Sequence, residues 1–224
     1  MPGGGLVTPT RTSPHPWIAA LLSAAALAAA CSGRGNPFLG PTPRAWADGP
    51  VRWLMLPAET RQFRRLRSDG EAAIFVEEFW RRRDADPTEP GNAARERFEA
   101  RVAAADRQYG ELEVRGSLTD RGRALVLLGP PSLLRHGRRA SPTWAPARPL
   151  RTARGGGASL PVRYLIVETW EYRLADLSPP LAALVTSAGG EGITLTFVLG
   201  EQARLIEGGR FLDMAAEAAV RLAG

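Results

Sequence analysis

The stretch Gly116-Ser117-Leu118-Thr119-Asp120-Arg121-Gly122-Arg123 runs directly into Ala124-Leu125-Val126-Leu127-Leu128 and closes on Gly129-Pro130-Pro131. Thr119 and Asp120 can turn the chain through side-chain to backbone hydrogen bonds, Gly122 tolerates a positive φ, and prolines without amide donors stop whatever precedes them. An apolar run without polar alternation, bounded on both sides, suits a strand buried on both faces. Helical spacing lies before this stretch and strand-like alternation mostly after it. The order predicts an α+β fold, with N-terminal helices followed by a mainly antiparallel sheet and a C-terminal helix.

Three helices are expected upstream. Pro57 suits a first helical position, Glu59 its first turn, and Phe63 and Leu66 share a face, which places a helix near 57–67. Ser68-Asp69-Gly70-Glu71 is a capping-box pattern before Ala72, Phe75, Val76, Phe79 and Trp80, spaced at three and four; Arg81-Arg82-Arg83 then read as a solvated, dipole-matched end. Asn92 caps a third helix with the stripe Ala94, Phe98, Val102, Ala105 and Tyr109, and Gly110 follows it. Downstream, 163–172, 192–199 and 203–207 read as strands, the last two joined by the hairpin turn Gly200-Glu201-Gln202. Pro179-Pro180 interrupt, and a last helix near 211–222, with Phe211, Ala215, Ala218 and Leu222 on one side, should lie across the sheet.

The N-terminus carries different information. Arg11 is the single charge in residues 1–30; an apolar run from Trp17 to Ala30 follows it, too short to span a bilayer and ending at Cys31. This is the layout of an export signal, and Ala28-Ala29-Ala30-Cys31 resembles a bacterial lipobox, with Leu27 one place earlier than usual. The expected organisation is a lipoprotein signal peptide at 1–30, acylation of Cys31, a flexible Gly/Pro tether at 31–50 and one α+β domain at 51–224. Ser32 is not the Asp that commonly retains lipoproteins at the inner membrane, so the outer membrane is favoured in a diderm cell.

All 29 basic residues are arginine. With abundant Ala, Gly and Pro this follows from GC-rich codon usage, so basicity alone names no partner. Its distribution says more: residues 31–154 hold 23 Arg and 15 acids, whereas 155–224 hold 5 Arg and 8 acids. Residues 132–161 lack any period, contain Gly155-Gly156-Gly157 and read as a disordered basic loop bearing Arg135, Arg138, Arg139, Arg148, Arg151 and Arg154. Such a loop could meet anionic head groups or another polyanion. Nucleic acid is not expected, because the loop has few aromatics to stack on bases and export removes the chain from it.

The central stretch, Gly129-Pro130-Pro131 and Glu168-Thr169-Trp170-Glu171-Tyr172 are similar to the GWxTD domain, a bacterial family. Upstream, Leu56-Pro57, Glu59, Phe63, Leu66, Ser68, Phe75, Phe79, Trp80 and Arg83-Asp84-Ala85-Asp86-Pro87 extend the resemblance over roughly residues 53 to 207. Its motif positions here are Gly116, Thr119, Asp120, Arg121, Gly122, Gly129, Pro130 and Pro131. Ser117 replaces the motif's Trp, and Ser132 replaces an acid that often follows Gly-Pro-Pro. The resemblance implies secretion or lipid anchoring and no particular activity.

Beyond the signal the sole histidine is His136, in the basic loop, and the sole cysteine is Cys31. A zinc site lacks ligands, and a Ser-His-acid triad would need a loop histidine held in place. No metal or cofactor is expected. Carboxylate chemistry remains: Asp120, Glu168 and Glu171 could form an acid and base pair or hold a hard cation, against the plainer reading that Asp120 caps a turn and the glutamates pair with arginines. The leading expectation is therefore interaction or scaffolding with an envelope protein or polymer, with a carboxylate-dependent hydrolase of an envelope polymer and a polyanion binder as alternatives.

Overall fold

A computed structural model describes residues 36–141 and 164–221, which belong to one compact unit. They form an α+β domain of seven helices and a four-stranded antiparallel sheet. The helices are α1 (Pro41–Asp48), α2 (Pro57–Phe63), α3 (Asp69–Arg81), α4 (Ala93–Gln108), α5 (Asp120–Leu128), α6 (Pro179–Ser187) and α7 (Gly209–Arg221). The strands β1 (Leu133–Ala140), β2 (Tyr164–Arg173), β3 (Gly192–Val198) and β4 (Arg204–Glu207) lie side by side in chain order.

The helix starts follow local chemistry. Ser68 Oγ accepts the Glu71 amide at 3.2 Å, while the Glu71 carboxylate accepts the Arg67 amide at 2.6 Å. Asn92 Oδ1 accepts the Arg95 amide at 2.8 Å, and its Nδ2 donates to Trp80 O, tying α4 to the end of α3. The apolar stripe of α3 buries Ala72, Phe75, Phe79 and Trp80.

Residues 36–50 are not a tether. Asn36 Nδ2 donates to Leu66 O at 2.8 Å, Asp69 accepts the Gly40 amide, and Leu39 and Val51 are buried. Trp46 on α1 packs edge-on against Phe79 and Phe75, with centroids 5.3 and 6.2 Å apart. Isolated apolar residues between prolines carry no period, yet Leu39, Trp46 and Val51 all join the core. The expected signal peptide and Cys31 lie outside the described residues.

The arginine triplet also departs from expectation. Arg81 is solvated and pairs with Glu78, but Arg83 is 1% exposed. Its guanidinium meets Glu59 through Nη1 at 3.0 Å and Nη2 at 2.7 Å, and donates to Phe79 O and Leu54 O. Arg82 reaches the same carboxylate at 3.0 Å.

The apolar run expected as a strand is helix α5. A short buried run has no polar face from which to read its period, so capping decides. Thr119 Oγ1 accepts the Gly122 amide at 3.1 Å, and Asp120 sits in the first turn. Gly122 is helical rather than of positive φ. Its role is close approach: a Cβ there would lie 1.7 Å from Gly116 O, and one on Gly116 would lie 1.9 Å from Ala105 O. The positive φ of 85° belongs to Gly129, which ends α5.

The basic loop is corrected in part: Leu133–Ala140 is strand β1, exposed along its length and paired throughout with β2. Residues 142–163 lie outside the described residues. Pro179 and Pro180 do not interrupt but begin α6, where absent amide donors cost nothing. α7 packs chiefly on α6 and α5 rather than across the sheet. Trp170, Leu195 and Phe197 on the helix-facing side of the sheet are fully buried.

Tyr172 links sheet and helix: its hydroxyl donates to Gly129 O at 3.1 Å. Burial pushes the phenol well above the ordinary tyrosine value, so it stays a donor at any pH the fold tolerates. Tyr172→Phe should cost about 1 kcal/mol, read from the shift in urea midpoint at constant slope.

Candidate functional site

The candidate site is built around Glu168. Alternation along β2 turns Glu168, Trp170 and Tyr172 toward the helices, and Glu168 is 5% exposed. Oε1 accepts the Trp170 indole at 2.6 Å, and Oε2 lies 3.1 Å from His136 Nε2 and 3.9 Å from Arg121 Nη1. His136 stands directly opposite Glu168 in the β1–β2 register, with its side chain 61% exposed. A histidine expected in a mobile loop is thus held on a paired strand by a buried carboxylate, with Nδ1 free of hydrogen bonds among the described residues.

Arg121 connects the site to the start of α5. Nη2 donates to Glu111 at 2.9 Å, and the guanidinium lies over the Tyr109 ring, 5.1 Å from its centroid. Tyr109 packs on Trp170 at 5.4 Å. Burial raises the Tyr109 phenol, the Glu168 charge adds to this, and Arg121 opposes it.

The other expected carboxylates do not join this cluster. Asp120 Oδ2 accepts the Leu205 amide at 2.8 Å, and Glu111 accepts the Ala203 amide at 3.2 Å. Asp120 thus ties β4 to the start of α5, and Glu111, in the loop after α4, holds the residue before β4, using amides that the sheet edge leaves open. A groove of about 360 Å³ lined by Glu111, Thr119, Asp120 and Arg204 opens there, but Glu168 does not line it. Glu171 points to the opposite face of β2 from Glu168 and pairs with Arg135 at 3.1 Å. Glu168 and Glu171 therefore cannot work as an acid and base pair.

Of the basic residues, Arg135 is held by Glu171 and Arg139 by Glu207, while Arg138 has no ion-pair partner among the described residues. Arg148, Arg151 and Arg154 lie outside them. The remaining motif residues have structural posts: Gly116 is packed against α4, Thr119 caps α5, and Gly129 precedes Pro130 and Pro131 at its end. Ser117, in the place of the motif's Trp, is fully buried; its amide donates to Asp106 at 2.8 Å and its carbonyl accepts the Trp53 indole at 2.9 Å. Ser132 bonds Asp176 and accepts the Arg173 amide at 3.0 Å.

No family model, curated protein or solved structure matches this chain. The chemistry has to be read from the geometry. A carboxylate that orients an imidazole is suited to proton transfer, yet no hydroxyl or thiol is bonded to His136 among the described residues. The His136–Glu168 pairing escapes a reading of the sequence because LLRHGRRA has no alternation; only the β1–β2 register reveals it.

Proposed function

We propose that this chain is a lipid-anchored bacterial envelope protein with a domain of the GWxTD type, tethered through acylated Cys31, and that it acts by binding an envelope partner rather than by catalysis. The observation that carries the binding reading is the commitment of its carboxylates to the fold. Asp120 holds β4, Glu168 holds Trp170 and His136, and Glu171 holds Arg135 on the other face of the sheet. The anchor rests on the export signal and the lipobox-like run before Cys31. Among the described residues no helix is long and apolar enough to cross a membrane.

Intact mass of the protein from its native membrane fraction should show an N-terminal Cys31 carrying two or three acyl chains, with a Cys31→Ser variant unacylated. An unmodified chain recovered from the soluble medium would rule the anchor out. A second reading, hydrolysis of an envelope polymer, is favoured by the ordered His136–Glu168 pair alone. On that reading Glu168→Gln abolishes polymer turnover while the melting temperature holds; on the binding reading, envelope pull-down is unchanged.

A further inference from the structure

A half-enclosed cavity of about 120 Å³ lies away from Glu168, where α3, α4, α6 and α7 converge. One part of its wall is apolar, formed by Trp80, Phe98, Leu181 and Ala219; another is cationic, formed by Arg97 and Arg101. No carboxylate lines it. Arg83, also in the wall, is balanced by Glu59 but leaves a buried Nε without a hydrogen-bond partner.

The two cations stand one turn apart on α4, an i,i+4 spacing that is unfavourable for like charges. Their helix neighbours at three and four residues give no relief: Ala93, Ala94 and Ala100 flank Arg97, and Phe98, Ala104 and Ala105 flank Arg101. Neither arginine has an ion-pair partner among the described residues. Arg101 Nη1 donates to Val126 O at 3.3 Å and Leu127 O at 3.2 Å, which caps the last turn of α5 but supplies no countercharge. Burial first, then the charge of Arg97, lowers the Arg101 pKa. A guanidinium pair without a carboxylate, facing an aromatic wall in a recess of this size, suits an anion with an apolar stem.

We propose that this cavity is a binding site for a carboxylate on a short apolar stem, with the carboxylate on Arg97 and Arg101 and the stem against Trp80, Phe98 and Leu181. Guanidinium groups match the two oxygens of a carboxylate, and the apolar wall selects against a bare, fully hydrated anion. The carboxylate can be free or end a peptide, since the recess has room for one terminal side chain and its carboxyl group.

The test uses the full domain with butyrate, N-acetyl-leucine, N-acetyl-leucine amide and inorganic phosphate as probes, each followed by titration calorimetry and by Trp fluorescence. Butyrate and N-acetyl-leucine should bind in the millimolar range, and the amide and phosphate at least about tenfold more weakly. Saturable binding of N-acetyl-leucine stronger than that of butyrate assigns the site to a chain terminus; the reverse order assigns it to a free short acid. Arg97→Gln, at an exposed helix position, should leave the melting temperature unchanged and weaken both about tenfold. Equal binding of acid and amide, phosphate binding as tight as butyrate, or Arg97→Gln binding like the parent protein would overturn the proposal. So would the absence of binding by both acids.

Discussion

Glu59→Ala is expected to lower the unfolding free energy by about 3–5 kcal/mol, the cost of leaving a buried charge unbalanced. Arg83 is 1% exposed and would keep only the carbonyls of Phe79 and Leu54 around its guanidinium, while Arg82, its side chain 32% exposed, would lose its anchor. The Leu56 amide at the start of α2 would also lose its acceptor, now 2.9 Å away. Denaturant unfolding followed by Trp fluorescence measures this. A loss below about 1 kcal/mol would show that the pair is not desolvated. The double variant Glu59→Leu/Arg83→Met should recover part of the loss, because the desolvation of both charges disappears with them.

The same pair predicts a pH dependence. Burial raises the Glu59 pKa, but the hydrogen bonds from Arg83, the Leu56 amide and Arg82 outweigh it, so the folded-state value lies below the ordinary 4.5. A depressed carboxylate contributes stability that is complete above its unfolded value and is lost as the pH falls through the folded one. Stability should therefore decline below about pH 4.5 in the parent and less steeply in Glu59→Gln.

Gly122→Ala is the second large effect expected. A Cβ 1.7 Å from Gly116 O and 2.9 Å from Ser117 Cα has no flexible side chain to displace, so α5 must move away from the 3₁₀ turn Gly116–Leu118 that precedes it. The cost should reach about 3 kcal/mol or more, enough to unfold a marginal domain. Gly70→Ala is the matched comparison. Its Cβ would meet only Ser68 Oγ at 3.9 Å, within the first turn of α3, and it should stabilise by about 0.5–1 kcal/mol. Circular dichroism with thermal melts separates the two; a folded Gly122→Ala of parental stability would mean that the helix contact is looser than its geometry.

How far the sequence carries depends on the range of the interaction. Ser68, Asn92 and Thr119 act on amides three residues away, and α3 and α4 begin where those residues place them. Strands β2, β3 and β4 follow alternation or hairpin spacing in the same local way. For α5 local signals do not suffice, because a run buried on every side shows no periodicity; Thr119 and Asp120 are legible, but a helix cap and a turn into a strand use the same residues. Residues 36–50 elude local signals for the opposite reason. Leu39, Trp46 and Val51 are too sparse to suggest an element, and their value lies in contacts made far along the chain.

The sites divide in the same way. Glu168 and His136 are separated by 32 residues and meet through strand register, and Glu59 meets Arg83 over 24 residues through packing. Neither pairing has a spacing that local geometry could reveal. By itself the sequence determined the α+β order, most helix starts and the arrangement of residues before Cys31, because caps, periods and chain stops act within a turn or two; that Gly122 serves close approach emerged only from the packing. Only the tertiary structure decided which carboxylates are spent on the fold, which arginines are buried and which two line a cavity that no carboxylate reaches. Burial and opposite charge depend on what the rest of the chain brings alongside.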